Sequence, residues 1–312
     1  MASSLLARLH VPPGTRIGIL GHNDPGYLAA YFGILRAGCV AVPLNQLLLP
    51  VEIAAQLELV GSDVCLLGQI DASTAASVGA RIRTIPISDL RERVPATLPT
   101  MAADDDATIL LTSGTTGTPK GAVHTHATMR HAIAEMHRCL PFSADDVMLG
   151  FLPFFAAIPE QIAPTLLAGG SLEILPRFDL EEVADACGRA TTLDAVPTIL
   201  ARTLDAIDHA RLARLRWIMF ASEPMPPPLL ARWWEALPGV RTYEFYGMTE
   251  MLTITVATPE TLRAAPACVG VPFPNSRVAI IDAEGRPVPP GESGEVICAS
   301  PARMRDYLDR GR

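Results

Sequence analysis

Residues 112–121 read Thr-Ser-Gly-Thr-Thr-Gly-Thr-Pro-Lys-Gly, and they follow an apolar run at 108–112 that predicts a strand. Glycines let the backbone turn tightly, so that successive N–H groups can point at one anion. The hydroxyl groups of the serine and the threonines add further donors, and Lys120 adds a positive charge. The stretch therefore predicts a phosphate-binding loop at the end of a strand. The alternative is a surface turn rich in glycine and threonine.

Lys120 is the single lysine of the 312-residue chain. The other 24 of its 25 basic residues are arginine. An ammonium is a compact point charge, whereas a guanidinium is a planar fork, so the two are not interchangeable where a small charge must fit. Lys120 is followed by Gly121, not by the serine or threonine that binds Mg²⁺ in P-loop ATPases. The spacing therefore excludes a P-loop hydrolase.

The overall composition narrows the class of protein further. The chain has 25 basic and 33 acidic residues and a formal net charge of −8, which disfavours a nucleic-acid partner. Its six cysteines form no CxxC pair, and the spacing of its histidines matches no zinc motif. The charges and prolines of residues 1–16 do not fit a signal peptide, and no apolar run is long enough for a membrane span. We expect a cytoplasmic protein.

Strand and helix patterns alternate along most of the chain, which predicts an α/β fold with mostly parallel, covered sheets. The predicted strands are 16–21, 39–44, 63–67, 108–112, 122–124, 147–151, 171–174, 193–196, 217–220 and 241–245. The predicted helices are 25–36, 52–59, 128–139, 160–167, 181–189 and 227–237. A polar, broken stretch at 97–107 indicates a boundary within this pattern, and from about residue 267 the sequence indicates a small antiparallel unit.

Several motifs, in order along nearly the whole chain, resemble the adenylate-forming superfamily, which includes acyl-CoA synthetases, aryl-CoA ligases, luciferases and nonribosomal-peptide adenylation domains. The loop at 112–121 is similar to its phosphate-binding loop, and Tyr-Gly-Met-Thr-Glu at 246–250 is similar to its YGxTE motif. The other similar stretches are 32–38 with 42–45, 269–272 and 285–295.

The resemblance implies the layered αβαβα N-terminal domain of such an enzyme, with a small β-rich subdomain at its C-terminal end. Residues 1–265 would form the nucleotide- and acyl-binding core, as two similar sheet-and-helix subdomains that meet near 97–107. Residues 266–312 would form the small β-rich subdomain, which stops short in this chain. The mobile C-terminal lobe, which carries the adenylation lysine of the family, would be absent.

The resemblance also implies a reaction in which ATP and a carboxylic acid give an acyl-adenylate and pyrophosphate. The catalytic residues would be Lys120, Thr249 and Glu250, with Glu250 also holding Mg²⁺. The nucleotide-binding residues would be Thr112, Ser113, Gly114, Thr115, Thr116, Gly117, Ser222, Glu223, Pro224, Tyr246 and Gly247. Residues 222–228 could instead form only the turn into a helix, and Glu250 could be a surface carboxylate at a helix start.

The acyl pocket would be lined by Phe155, Ala156, Val196 and Met248. Ala156 stands where the family commonly has a histidine, and Pro159 replaces a glycine, so we expect a smaller and less polar pocket wall. The stretch 195–198 has an equally good alternative as a strand end with a capping turn.

The expected activity is that of an acid–CoA ligase in fatty or aromatic acid metabolism, with ATP, Mg²⁺ and CoA. The expected partners are a small carboxylic acid and CoA or a carrier-protein thiol, with a C-terminal lobe supplied in trans as one option. Two alternatives stay open: a non-catalytic binder of nucleotide or acyl-adenylate, and half of a split ligase that loads a carrier protein.

Overall fold

The computed structural model describes residue 9 and residues 11–90, 97–112 and 119–308. The predicted phosphate-binding residues Ser113, Gly114, Thr115, Thr116 and Gly117 lie outside the described residues.

The strands are numbered in chain order. They are β1 Arg16–Leu20, β2 Val40–Pro43, β3 Val64–Leu67, β4 Arg83–Pro86, β5 Asp106–Thr112, β6 Lys120–Thr125, β7 Val147–Gly150, β8 Ser171–Ile174, β9 Thr192–Asp194, β10 Trp217–Phe220, β11 Arg241–Tyr246, β12 Thr255–Ala257, β13 Val271–Pro272, β14 Arg277–Ile281, β15 Glu295–Ala299 and β16 Asp306–Tyr307.

The α-helices are α1 Pro25–Arg36, α2 Pro50–Leu59, α3 Ala72–Gly79, α4 His126–Cys139, α5 Phe154–Ala157, α6 Ala163–Leu167, α7 Leu180–Cys187, α8 Pro197–Ala206, α9 His209–Leu212, α10 Pro227–Ala236 and α11 Pro259–Ala264. A π-helical turn, Ile158–Ile162, joins α5 to α6, and a 3₁₀ turn, Ile87–Leu90, follows β4. Within the described ranges, no helix is both long and apolar enough to cross a bilayer.

Two seven-stranded sheets and one two-stranded sheet organise the chain. The first sheet has the order β16-β6-β5-β2-β1-β3-β4, and the second has the order β13-β12-β11-β10-β9-β7-β8. The central pairs of both sheets are parallel, as the alternating sequence pattern predicts. The third sheet pairs β14 with β15 in antiparallel register.

The helices form three layers around the two large sheets, which confirms the αβαβα order. Side chains of α2 and α3 pack on one face of the first sheet. Its other face packs against α1 and against Phe154, Ile158 and Ile162, which fill the space between the sheets together with α4. Helices α7, α8 and α10 cover the outer face of the second sheet.

Helix α1 has the bounds that the sequence predicts, because its end signals are local. The Asp24 side chain accepts a hydrogen bond from the Tyr27 N–H, and Pro25 occupies the first turn, where its missing N–H costs nothing. Gly38 follows the helix with a φ of +74°, a conformation that glycine adopts without steric cost.

The predicted helix at 160–167 is different in the structure. The chain turns into α5 at Phe154, widens into the π-helical turn and returns to α-helix at Ala163, whose N–H bonds to the Ile158 carbonyl. Pro164 cannot donate a backbone hydrogen bond to the preceding turn, so a continuous α-helical ladder is not available here. Short π-helical turns of this kind occur frequently at functional sites.

The boundary between the two large sheets does not lie near 97–107, where the sequence predicts it. Strand β5 pairs with β2, and β6 pairs with β5, so both belong to the first sheet and the change comes between β6 and β7. The C-terminal region does not form a separate unit, because β13 belongs to the second sheet and β16 pairs with β6 of the first sheet. Only β14 and β15 form the small antiparallel sheet.

Candidate functional site

A cavity of about 730 Å³ lies where the C-terminal ends of strands from both sheets meet. The ends of β2 and β5 border it from the first sheet, and the ends of β10 and β11 border it from the second. Ligands of parallel α/β sheets bind at such carboxyl ends, and the volume suits a small molecule. Seven of the predicted site residues line this cavity, namely Thr112, Phe155, Ala156, Ser222, Gly247, Met248 and Thr249.

Six of the described predicted residues do not line the cavity, namely Lys120, Tyr246, Glu250, Val196, Glu223 and Pro224. Val196 precedes α8 as its N-cap, which matches the alternative of a strand end with a capping turn. The Glu223 carboxylate accepts a hydrogen bond from the Thr198 hydroxyl at 2.8 Å, which joins the loop after β10 to the first turn of α8. Pro224 is exposed on the same loop.

Gly247 is required where the loop after β11 folds back on itself. A Cβ atom at this position would stand 1.8 Å from the backbone carbonyl oxygen of Leu252. The fold-back is secured by the Leu252 N–H, which bonds to the Met248 carbonyl at 2.7 Å, and by the Ile254 N–H, which bonds to the Tyr246 carbonyl at 3.0 Å. This turn places Met248 and Thr249 on the cavity wall, while Tyr246 is exposed beside it.

Ser222 turns the chain at the end of β10. Its φ of +71° is in the left-handed region, which a residue other than glycine rarely adopts. The turn brings Ala221 and Ser222 to the cavity. Strained backbone of this kind tends to persist where the surrounding structure requires it.

Lys120 and Glu250 lie at one edge of the cavity, joined by an aromatic residue that belongs to none of the sequence motifs. The Lys120 Nζ stands 5.0 Å from the ring centroid of Tyr307, and the Tyr307 hydroxyl donates a hydrogen bond to Glu250 Oε1. This bond to a carboxylate raises the pKa of Tyr307 to about 12. The three side chains therefore form one polar cluster next to Pro119 and Thr249.

Backbone hydrogen bonds connect the chain near Tyr307 to the segments that carry Glu250 and Lys120. The Met304 N–H bonds to the Glu250 carbonyl at 2.8 Å, and the Leu308 N–H bonds to the Gly121 carbonyl at 2.7 Å. The only signal of this arrangement in the sequence is a tyrosine in an otherwise polar stretch. Its pairing with β6 is a tertiary contact, which local sequence does not encode.

Glu250 fits a metal ion that arrives with a nucleotide. Within the described ranges, no group of three or more histidine, cysteine, aspartate or glutamate side chains could hold a metal by itself. Mg²⁺ is commonly held by one or two carboxylates together with substrate phosphates and water. A single carboxylate beside Lys120 and Thr249 matches that pattern.

His124 supports the loop that carries Glu250. It is fully buried on β6, and its Nε2 donates a hydrogen bond to the Thr249 carbonyl at 2.8 Å. Burial lowers the pKa of His124, which favours the neutral imidazole. The histidine spacing matches no zinc motif, and the structure gives His124 a positioning contact across the site.

One wall of the cavity differs from the expected less polar surface. Glu160, on the π-helical turn, lines the cavity beside Ala156 and Pro159. Asp194, at the end of β9, is 4% exposed and lies close enough for its charge to act on Glu160. Burial and repulsion by Asp194 raise the pKa of Glu160 to about 8, and burial raises the pKa of Asp194 to about 7. An acidic residue inside the apolar run 154–167 is the sequence signal that could have identified this wall.

Comparison with known proteins gives a consistent result. Residues 1–308 match the family model described as AMP-binding enzyme. A feruloyl-CoA synthase from an Amycolatopsis species is 32% identical, over 96% of this chain and 62% of its own length. An L-proline–[L-prolyl-carrier protein] ligase from Streptomyces coelicolor is also 32% identical, over 98% of this chain and 64% of its own length.

The fold has solved counterparts as well. The o-succinylbenzoate coenzyme A synthetase of Bacillus subtilis, solved in complex with ATP and a magnesium ion, superposes with a TM-score of 0.88 at 28% identity. That match covers 99% of this chain and 65% of the solved chain. The present chain thus spans less than two thirds of the length of each of these relatives.

Proposed function

The chain belongs to the family of AMP-binding enzymes, and on that basis we propose that it is the ATP- and carboxylate-binding part of an acid–thiol ligase. In the first half-reaction, a carboxylate oxygen attacks the α-phosphorus of ATP, and pyrophosphate leaves to give an acyl-adenylate. In the second, a thiol attacks the acyl carbon and AMP leaves. The observation that carries this proposal is the Lys120–Tyr307–Glu250 cluster at the edge of a cavity large enough for an acyl group.

The substrate carboxylate is itself the nucleophile, so the protein needs to supply alignment and charge stabilisation. Lys120 and the loop at 112–117 would hold the phosphates of ATP. Thr249 and Glu250 lie beside Lys120 at the same edge, where Glu250 would hold Mg²⁺ together with phosphate oxygens. A Mg²⁺ ion at that place supplies positive charge to the departing pyrophosphate.

The remaining nucleotide contacts follow from the loops around the cavity. Gly247 and Ser222 border it with backbone, and Tyr246 offers an exposed ring beside it. We propose that Tyr246 stacks on the adenine and that the backbone at 221–224 faces the edge of the base. Phe155, Ala156 and Met248 would contact the acyl group.

CoA is the proposed thiol acceptor, since one relative is named as a CoA synthase. A carrier-protein thiol is the second option, because the other 32% identical relative is named as a carrier-protein ligase. The curated relatives are longer, so we propose that a further lobe, in the same polypeptide or in trans, takes part in turnover. The expected cytoplasmic location stays part of this proposal.

The direct test is carboxylate-dependent release of pyrophosphate from ATP by the purified chain, with a panel of aliphatic, aromatic and amino acids. Release that depends on both an acid and Mg²⁺ supports the proposal. Adding CoA or a carrier protein to the productive acid then identifies the acceptor by thioester formation. Tight ATP binding with no adenylate formed from any acid, even with an added C-terminal lobe, would favour the non-catalytic binder instead.

A further inference from the structure

The acyl side of the cavity carries a carboxyl group that the proposed ligase chemistry does not use. Glu160 lines the cavity from the π-helical turn, among the uncharged neighbours Phe155, Ala156 and Pro159. It lies on the wall built by residues 155–160, whereas Lys120 and Glu250 lie beyond Pro119 and Thr249. Glu160 is therefore separate from the groups assigned to the phosphates and Mg²⁺.

A second carboxyl group stands behind Glu160. Along β9, Leu193 packs with the helices that cover the outer face of the second sheet. Thr192 contacts Met148 on the opposite face, and alternation along the strand places Asp194 on that same inner face. Asp194 is 4% exposed and acts on Glu160 by charge repulsion, so the two carboxyl groups converge from β9 and from the π-helical turn.

Neither carboxyl group has a compensating cation in the described part of the chain. No ion pair or side-chain hydrogen bond there involves Glu160 or the Asp194 carboxyl. By contrast, buried Asp146 accepts a hydrogen bond from the Thr191 hydroxyl and pairs with Arg216. Buried carboxylates are normally paired or hydrogen-bonded, so buried Asp194 is an exception, and partly buried Glu160 faces the cavity without a partner.

We propose, resting on the proposed function, that the cavity accepts a carboxylic acid that also carries an ammonium group, with Glu160 as its partner and Asp194 as the supporting charge. Such a substrate places its carboxylate toward the nucleotide and its cation toward the π-helical turn. Glu160 is thus a specificity-determining residue of the acyl site.

The electrostatics of the empty cavity agree with this assignment. The raised pKa of Glu160, about 8, keeps it largely protonated near neutral pH, so the empty wall carries little net charge. An ammonium group stabilises the ionised carboxylate, so Glu160 loses its proton when the substrate binds. The titratable group that acts on Glu160 is Asp194 on β9, and Glu52 on α2 lines the same cavity, where its carboxylate accepts a hydrogen bond from the Leu49 N–H; all three are acidic.

An acid with an uncharged tail would fit less well. It would cover the Glu160 carboxyl with apolar atoms and leave it without a hydrogen-bond partner, which costs free energy. Discrimination of this kind, by a buried polar group left unpaired, is stronger than discrimination by the size of an apolar tail.

The test compares matched pairs of acids that differ only in the cation: L-phenylalanine with 3-phenylpropanoate, and 5-aminopentanoate with hexanoate. Affinity is measured by calorimetry on the full chain in the presence of ATP and Mg²⁺, in two buffers of different ionisation enthalpy. We expect at least one amino acid to bind tenfold or more tightly than its neutral partner, with release of a proton that the buffer comparison reveals. The proton release needs no variant, so it stays decisive if a substitution prevents folding.

Glu160→Gln should reduce that preference at least fivefold and remove the proton release, whereas Glu235→Gln, at an exposed position on α10, should keep both. ATP affinity measured in parallel reports whether the nucleotide site is intact. Neutral acids that bind as well as their amino partners in both pairs would overturn this inference and leave the proposed function standing. A chain that binds neither ATP nor any acid would instead overturn the proposed function, and the inference with it.

Discussion

Tyr307 donates its hydroxyl hydrogen to Oε1 of Glu250, and the ring of the same tyrosine faces the Lys120 ammonium. One side chain thus touches both charged groups that the proposed function assigns to the triphosphate and its metal. The backbone on either side of Tyr307 is fixed by hydrogen bonds to Glu250 and Gly121. The segment 304–308 is therefore part of the site.

Two substitutions separate the contributions of the Tyr307 ring and hydroxyl. Tyr307→Phe keeps the ring beside Lys120 and frees Glu250 Oε1, so ATP should bind in the presence of Mg²⁺ at least as well as to the wild type. Tyr307→Ala removes the cation–π contact, worth about 0.5–1 kcal/mol at an exposed site, and should weaken ATP binding about two- to fivefold. Calorimetric ATP titrations with and without Mg²⁺ measure both effects. Equal affinities for Tyr307→Ala and wild type would show that the ring does not place Lys120.

Gly247→Ala tests the close approach in the loop after β11. The new Cβ would collide with the Leu252 carbonyl oxygen, so the loop must shift, and we expect a loss of about 1–3 kcal/mol in the free energy of unfolding. ATP affinity should fall with it, because Thr249 and Glu250 belong to the same loop. The matched control is Gly239→Ala, where a Cβ has nothing within 4 Å and stability should change by less than about 0.5 kcal/mol. Indistinguishable urea midpoints for the two variants would contradict this account.

We expect the Asn23 side chain to be the main polar connection between the end of β1 and the segment that leads into the cavity wall at residues 155–160. It is buried, its Nδ2 donates to the carbonyls of Leu152 and Leu175, and its Oδ1 accepts from the Phe154 N–H at 2.9 Å. Asn23→Ala leaves these groups without partners, which should cost about 2–4 kcal/mol of stability.

Asn45→Ala provides the comparison for Asn23, because its side chain accepts one exposed hydrogen bond, from the Leu47 N–H. That variant should lose less than about 1 kcal/mol. Chemical denaturation of both variants measures the difference. A loss in the free energy of unfolding for Asn23→Ala that is no larger than for Asn45→Ala would show that the Asn23 hydrogen bonds do not stabilise the fold.

Asp194 should make stability depend on pH. Burial raises its pKa from 3.8 to about 7, so the folded state holds a proton that the unfolded state releases between these two values. Folding is therefore favoured at low pH, and this contribution is lost as the pH rises from about 4 to 7. Asp194→Asn removes the ionisation, so its stability relative to wild type should increase by roughly 1–3 kcal/mol between pH 5 and pH 8.

Urea unfolding at pH 5 and pH 8 measures that difference, and Asp145→Asn, at an exposed position, should show none of it. A relative stability of Asp194→Asn that is the same at both pH values would indicate that Asp194 is not buried as described.

The parts of the fold that the sequence predicts best have local signals. The bounds of α1, β8 and β10 match the predicted ranges, since caps, prolines and short apolar runs mark them. Strand β16 was missed because it has only two residues, and its existence depends on pairing with β6. The sheet boundary was misplaced because a polar connection at 97–107 does not reveal that β5 returns to β2.

In the site, too, the residues that the sequence predicts have local signals, and those it does not predict depend on tertiary contacts. The motif at 246–250 identified Gly247, Met248 and Thr249 on the cavity wall, because their spacing within one turn is itself the signal. Tyr307 and the Glu160–Asp194 pair depend on contacts between distant segments, which no local pattern contains. The substitution at Ala156 suggested an apolar wall, whereas the charged group enters one helical turn later.

The proposed binding of ATP through Lys120 and Glu250 is measured by ATP calorimetry with and without Mg²⁺. We expect wild-type binding that strengthens with Mg²⁺, a loss of at least tenfold in affinity for Lys120→Ala, and no Mg²⁺ enhancement for Glu250→Gln. The exposed Glu235→Gln variant serves as the control and should behave as wild type. Lys120→Ala and Glu250→Gln variants that bind ATP and respond to Mg²⁺ like the wild type would contradict the account.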